Sequence, residues 1–226
     1  MIACSPGAAG SLAHMSFQHI AIEGPIGVGK SSLAERLASR LDAVAVMEDR
    51  ENPFLADFYA GQPGAALQAQ LFYLLNRHRQ QLTLRQANLF AQTTITDYVF
   101  DRDKIFAYLN LDDNELFIYQ RLYDLLARDV PPPDLVIYLQ APTDVLVRRL
   151  RDRARDADVP HFVPDERYLK ELNEAYQHFF FHYTATPLLV VETSQFDLAG
   201  SDTALDDLIR QIRGMGRGTQ YYVPRA

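Results

Sequence analysis

From Phe17 onward the apolar residues of this chain fall into two alternating patterns. Short runs at Phe17–Glu23, Ala43–Glu48, Ala91–Thr96, Leu135–Gln140 and Leu188–Glu192 predict five strands. Two of them, Leu135-Val-Ile-Tyr-Leu and Leu188-Leu-Val-Val, are continuously apolar, as in strands buried on both faces of a parallel sheet. Between the runs, leucines and aromatics recur every three or four residues. They predict helices at Ser31–Leu41, Ala65–Leu84, Asn114–Asp129, after Pro142, at Leu169–Tyr183 and at Ala204–Ile212. Pro131-Pro132-Pro133 stops one helix and launches the next strand. Strand and helix alternate, so the expected fold is α/β, a five-stranded parallel sheet flanked by helices. Right-handed crossovers then place ligands at the carboxyl ends of the strands. Residues 1–16 are small, polar and Gly/Ala-rich, without the basic and apolar regions of a signal peptide. They read as a disordered leader before a single domain, 17–226, with Met15 as an alternative start.

The first strand-to-helix turn carries chemistry. Gly24-Pro25-Ile26-Gly27-Val28-Gly29-Lys30-Ser31 satisfies G-x-x-x-x-G-K-[ST], with Ser32 following in the helix. Glycines let successive backbone N–H groups turn toward phosphate oxygens. Lys30 is placed for the β- and γ-phosphates, and the Ser31 hydroxyl for Mg²⁺. A strand, this loop and a helix N-terminus make an anion site, here assigned to ATP.

Charge changes the picture in one respect. The chain carries 29 acidic and 22 basic residues, a net −7, which argues against nucleic-acid binding and makes any local basic cluster informative. Cys4, the one cysteine, excludes an internal disulfide framework and fits a reducing, cytoplasmic compartment. No apolar run is long enough to span a membrane.

Glu48 ends the second predicted strand and Asp97 follows the third, so both emerge on the rim of the phosphate loop. One carboxylate is expected to orient or deprotonate an attacking hydroxyl, and another to help hold Mg²⁺. Either could instead be a solvated strand-end acid. The run Arg149-Leu-Arg151-Asp-Arg153-Ala-Arg155 follows the helix after Pro142. Residues 149 and 153 share a face, with Arg155 just past them, which suggests a lid over triphosphate charge. The alternative is a basic helix end balanced by Asp152, Asp156 and Asp158. Four histidines, His78, His161, His178 and His182, show no metal-ligand constellation.

Several segments together resemble the deoxyribonucleoside kinase family, in particular its bacterial deoxyadenosine/deoxyguanosine kinase branch. They are Glu23 through Ser31, Glu51-Asn-Pro-Phe-Leu-Ala-Asp-Phe-Tyr59, Leu67-Gln-Ala-Gln-Leu-Phe-Tyr-Leu-Leu75, Asp97 through Ala107, Pro133 through Ala141, the arginine run, and Tyr168 through Tyr176. The resemblance implies a P-loop kinase fold with an arginine-rich lid, and transfer of the γ-phosphate of ATP to the 5′-hydroxyl of a deoxynucleoside, purine preferred, in nucleotide salvage. It implies Glu48 as general base, Asp97 as the acidic motif residue, Gln68 on the nucleobase, Tyr59 on the sugar 3′-hydroxyl, and Arg149, Arg153 and Arg155 in the lid. It also implies a homodimer packed through Ala65–Leu84 and Asn114–Asp129. Tyr98 stands where the family has an arginine, and Arg102 is the candidate for the missing charge. Asp158 is the only acid near the place of the family's sugar-holding glutamate. Arg77 reads either as a partner for a purine edge or as a surface arginine. Phe54, Phe72 and Phe106 are expected to line the nucleoside pocket, and Phe196-Asp197 to lie either in an adenine-binding loop or in a plain surface turn. Two other readings stay open: a nucleoside monophosphate kinase of the thymidylate type, and a nucleotide-binding regulatory protein without an acceptor.

Overall fold

The computed structural model describes residues 17–49, 51–87, 93–156, 164–195 and 200–224. Its sheet has six strands, one more than the apolar runs predict. They are β1 (His19–Glu23), β2 (Val44–Val46), β3 (Thr94–Thr96), β4 (Leu135–Gln140), β5 (Leu188–Glu192) and β6 (Thr219–Tyr222). The order is β2-β3-β1-β4-β5-β6, and every adjacent pair is parallel. The sixth strand, Thr-Gln-Tyr-Tyr, is exposed over three of its four residues. It has no apolar signature because β5 recruits it by edge pairing, in register Leu188 with Thr219 and Val191 with Tyr222. The first two positions of the predicted third strand, 91 and 92, fall outside the described residues.

The helices are α1 (Lys30–Leu41), α2 (Leu55–Tyr59), α3 (Ala65–Ala87), α4 (Arg102–Asn110), α5 (Asp113–Leu126), α6 (Thr143–Asp156), α7 (Glu166–Phe181) and α8 (Asp202–Gly214). Neither α2 nor α4 has a clear apolar period in the sequence. The first is five residues long, and the second buries Arg102 and Asp103 beside Ile105 and Ala107. Charged residues on the inner face erase the amphipathic pattern, and both helices border the site described below. Helix α5 is started by a full capping box. The Asp112 carboxylate accepts from Asn114 N and Glu115 N, both at 2.9 Å, and Glu115 reaches back to Asp112 N at 3.3 Å.

Side chains on the two faces of the sheet enter separate cores, as alternation along each strand requires. Ile20, Ile22, Ile137 and Val191 pack against Leu33 and Leu37 of α1 and Leu205 and Leu208 of α8. Ala21, Val136, Tyr138 and Val190 pack against Ile105 of α4 and Leu172, Tyr176 and Phe180 of α7. A third cluster ties α3 to α5 through Leu74, Phe100, Tyr119 and Tyr123. The central strand β1 has β3 on one side and β4 on the other, so the chain reverses its winding there. The crevice at that reversal is where an open α/β sheet receives its ligand.

The turn leaving β1 needs glycine. Gly24 has φ +152°, and a Cβ there would lie 2.4 Å from the Leu139 carbonyl oxygen. Replacement by alanine must therefore push the loop off β4. Gly24→Ala is expected to destabilise the protein by roughly 1–3 kcal/mol and to weaken nucleotide binding. Urea unfolding and ATP titration measure both, and an unchanged unfolding midpoint would contradict this account of the turn.

Candidate active site

The phosphate loop closes on its own lysine. Lys30 Nζ donates to the carbonyls of Gly24 at 2.7 Å and Pro25 at 3.2 Å. Desolvation and then the nearby Arg102 charge lower its pKa to about 8, against the pull of Glu23, Glu48 and Asp97. A triphosphate entering the loop would favour the charged lysine. The Ser31 hydroxyl donates to Asp97 Oδ2 at 2.6 Å, and Asp97 Oδ1 accepts Glu48 N at 2.6 Å. Asp97 thus joins the start of α1 to the end of β2, with hard oxygen donors from two elements side by side. That donor set suits Mg²⁺, which is typically held by one or two carboxylates together with phosphates and water.

Glu48 lies at the centre of a buried ion network. Arg77 of α3 donates to its Oε1 through Nε at 2.9 Å and also through Nη2. Arg102 of α4 donates to Oε2 through Nη1 at 2.5 Å. Burial would raise the Glu48 pKa, but the two guanidiniums outweigh it and hold the carboxyl at about 2, well below its ordinary value near 4.5. Arg102 also stands 3.8 Å from Glu23, the residue just before the phosphate loop. Glu23 in turn accepts from Gly24 N at 2.8 Å, Val99 N at 3.0 Å and the Tyr176 hydroxyl at 3.1 Å. Arg102, from α4, thus stands between Glu48 and Glu23. Tyr98 itself is buried, its hydroxyl accepting from Gln81 at 3.2 Å.

A cleft of about 120 Å³ opens from Glu48, Arg77 and Arg102. Tyr59, Tyr73, Phe106 and Tyr168 contribute its aromatic walls. The guanidiniums sit over two of these rings, Arg77 over Tyr73 at 5.1 Å and Arg102 over Phe106 at 5.2 Å. Aromatic walls beside a charged end suit a ligand with both an apolar face and polar groups.

Several expectations need correction. Gln68 is exposed and does not line the cleft, whereas Gln70 does and is buried. Helix arithmetic explains this: nine residues set Gln68 about 180° from Arg77, and seven set Gln70 within about 20° of it. Arg77 is no surface arginine, being only 4% exposed. Phe106 lines the cleft, but Phe54 and Phe72 pack edge-on against each other with ring centroids 6.0 Å apart. Of the arginine run, Arg149 reaches the phosphate loop, donating to Val28 O at 3.4 Å and to Thr193 at the end of β5. Arg153, one turn on, is exposed. Arg155 lies about 120° round the helix from Arg149 and pairs with Asp152 on the surface at 3.4 Å. Asp158 and Phe196-Asp197 lie outside the described residues. Asp103, buried against Arg77, and Tyr168, on the cleft wall, were not singled out from the sequence. The seven-residue spacing back from Arg77 was the signal that could have found Gln70.

A family model described as deoxynucleoside kinase matches residues 20–215. The deoxyguanosine kinase of Bacillus subtilis (strain 168) is 36% identical over 138 residues, which span 60% of this chain and 67% of that protein. The deoxyadenosine/deoxycytidine kinase of the same organism is 25% identical over 202 residues, 85% of this chain and 90% of the relative. A solved structure of deoxyadenosine kinase from M. mycoides with bound dCTP has a similar fold. Its TM-score is 0.71 at 24% identity, over 87% of this chain and 99% of that one.

The Glu48 network has a consequence for acid stability. Its carboxyl lies lower in the folded protein than in the unfolded chain, so the ionised form stabilises the fold above pH 4.5, and that contribution is lost as pH falls toward about 2. Glu48→Gln, which leaves two guanidiniums without their carboxylate, should be clearly less stable than the parent at pH 7. The gap should narrow by pH 3. Urea melts of both proteins at the two pH values check this, and a constant gap would contradict it.

Proposed function

The chain belongs to the deoxynucleoside kinase family, and on that premise we propose that it transfers the γ-phosphate of ATP to the 5′-hydroxyl of a purine deoxynucleoside in cytoplasmic nucleotide salvage. The observation that carries this reading is the position of Glu48. Its side chain heads the aromatic cleft, while its backbone N–H sits on the same Asp97 that accepts from the phosphate-loop serine. Glu48 thus stands between the phosphate loop and the cleft, which supports this reading.

Phosphoryl transfer asks mainly for positioning and charge stabilisation, since the transition state is loose. In this reading Lys30 leaves the loop carbonyls for the β/γ-phosphates, and the backbone of Gly24 to Ser32 cradles them. Ser31 and Asp97 would hold Mg²⁺, which would supply positive charge to offset that of the triphosphate. Arg149 and Arg153 meet the donor from α6. Glu48, kept ionised by Arg77 and Arg102, accepts the 5′-hydroxyl and aims its lone pair at the γ-phosphorus, taking the proton as the new O–P bond forms and the bond from that phosphorus to the β-phosphate oxygen breaks, with ADP leaving. The aromatic walls hold the sugar and base, with Tyr59 placed for the sugar.

Base choice is assigned to Arg77 and Gln70. Three of the five N–H bonds of Arg77 go to Glu48 and Asp103, which leaves one on each Nη. Two adjacent guanidinium donors match the O6 and N7 acceptors of guanine, and a glutamine amide matches N6 and N7 of adenine. Steady-state assays of deoxynucleosides and deoxynucleoside monophosphates with ATP and Mg²⁺ test the assignment. Deoxyguanosine or deoxyadenosine should give the highest kcat/KM and thymidine the lowest, with monophosphates inert. Lys30→Ala should reduce transfer to background. Activity on monophosphates alone would replace this reading with the thymidylate-kinase type, and nucleotide binding without transfer would replace it with a regulatory protein.

The protein is further assigned as a homodimer. Leu75, Tyr108, Phe117, Ile118 and Leu125, on α3, α4 and α5, are 47–61% exposed, an apolar surface suited to a second copy. Light scattering should give twice the chain mass of 25.7 kDa, and Ile118→Glu should shift it toward monomer. A monomer for the parent protein would rule this out.

A further inference from the structure

One residue behind the cleft wall holds both groups assigned to the base. Asp103, in the first turn of α4 and fully buried, accepts Arg77 Nη1 on its Oδ1. Its backbone carbonyl accepts Gln70 Nε2 at 3.0 Å. The other carboxylate oxygen, Oδ2, accepts the hydroxyl of Tyr119 at 2.8 Å. Tyr119 comes from α5, is 1% exposed and does not line the cleft. Burial holds its phenol well above the ordinary range, so it remains a donor. The next tyrosine on that face, Tyr123, donates instead to Asp101 at 2.5 Å. Helix α5 thus grips the start of α4 at two carboxylates, and only one of them leads to Arg77.

We propose that Tyr119 is a specificity-determining positioning residue, which fixes the Asp103 carboxylate and through it the direction in which Arg77 presents its hydrogen-bonding groups to the nucleobase. The physical reason is rotational freedom. A carboxylate bonded on one oxygen can pivot about χ2, whereas one bonded on both oxygens from opposite sides cannot. The guanidinium of Arg77 has lost three donors to carboxylates, so its remaining two N–H bonds point wherever Asp103 and Glu48 aim them. Removing the Tyr119 hydroxyl releases one of those restraints without touching the cleft. This inference rests on the assignment of Arg77 and Gln70 to the base.

The experiment is a comparison of kcat and KM for deoxyguanosine, deoxyadenosine, deoxycytidine and thymidine among the parent protein, Tyr119→Phe, Tyr123→Phe and Arg77→Lys. In Tyr119→Phe the ratio of kcat/KM between the favoured purine and thymidine should fall roughly tenfold, the size expected for a hydrogen bond to a charged group. The change should appear mainly as a higher KM for the favoured purine, with thymidine little affected. Tyr123→Phe should keep the parent ratio, and Arg77→Lys should flatten it. Asp103→Asn, which keeps the phenol but weakens the carboxylate's hold on Arg77, should repeat the Tyr119→Phe pattern and serves if that variant is poorly folded. Equal losses on all four nucleosides, or an unchanged ratio, in Tyr119→Phe would overturn the proposal while Arg77→Lys still flattened selectivity. If Arg77→Lys itself left the ratio intact, the base assignment would fail first.

Discussion

Two guanidiniums closing on the carboxylate of Glu48 are the interaction on which the rest of the site depends. Burying these charges is costly, and an ion pair of this kind adds less to stability than its short contacts suggest. What it secures is geometry. Arg77 arrives from α3, Arg102 from α4 and Glu48 from the end of β2, so one carboxylate sets the spacing of three elements that share no backbone pairing. Asp97 extends that spacing to the phosphate loop, and Glu23 anchors the loop to α4 and α7. The charged end of the cleft and the phosphate loop are consequently parts of one connected framework.

The framework is cheap to assemble because of where the sheet reverses. With β1 between β3 and β4, the loops after β1 and β3 open at the same rim, where the end of β2 also lies. The phosphate loop, Asp97 and Glu48 then meet without long connections. Helices α3, α4 and α5 form their own apolar cluster beside this rim. Most of their inward polar groups are held by one another and by Glu48, while the buried His78 Nε2 and Arg102 Nε have no hydrogen-bond partner among the described residues. This explains why α4 carries Arg102 and Asp103 inward and still packs, with Tyr119 and Tyr123 supplying hydroxyl donors from across the cluster.

Much of this was legible in the chain. The phosphate loop is specified by consecutive residues, since glycine conformations and the Lys-Ser pair act within one turn. Strands β1, β4 and β5 and helices α1, α3, α5, α7 and α8 follow from local apolar spacing, and Glu48 and Asp97 from their position after predicted strands. The sixth strand was not legible, because an exposed edge becomes a strand through its neighbour's hydrogen bonds rather than through its own composition. Helices α2 and α4 escaped for a related reason: the first is short, and the second replaces an apolar stripe with buried charges.

The sequence by itself therefore determined the α/β class, the phosphate-loop motif and the place of the two carboxylates beside it, all of which depend on residues near one another in the chain or on strand order. Only the tertiary structure decided which side chains share the acceptor cleft. Gln70 displaces Gln68 because the turn of α3 points it inward. Arg77 and Arg102 pair with Glu48, and Asp103 with Tyr119, across separations of 16 to 54 residues that no local period encodes. Arg155 leaves the expected lid because α6 rotates it away from the phosphate loop. Ion pairs and hydrogen bonds between elements depend on packing angles, and those exist only once the sheet and its helices have closed around the core.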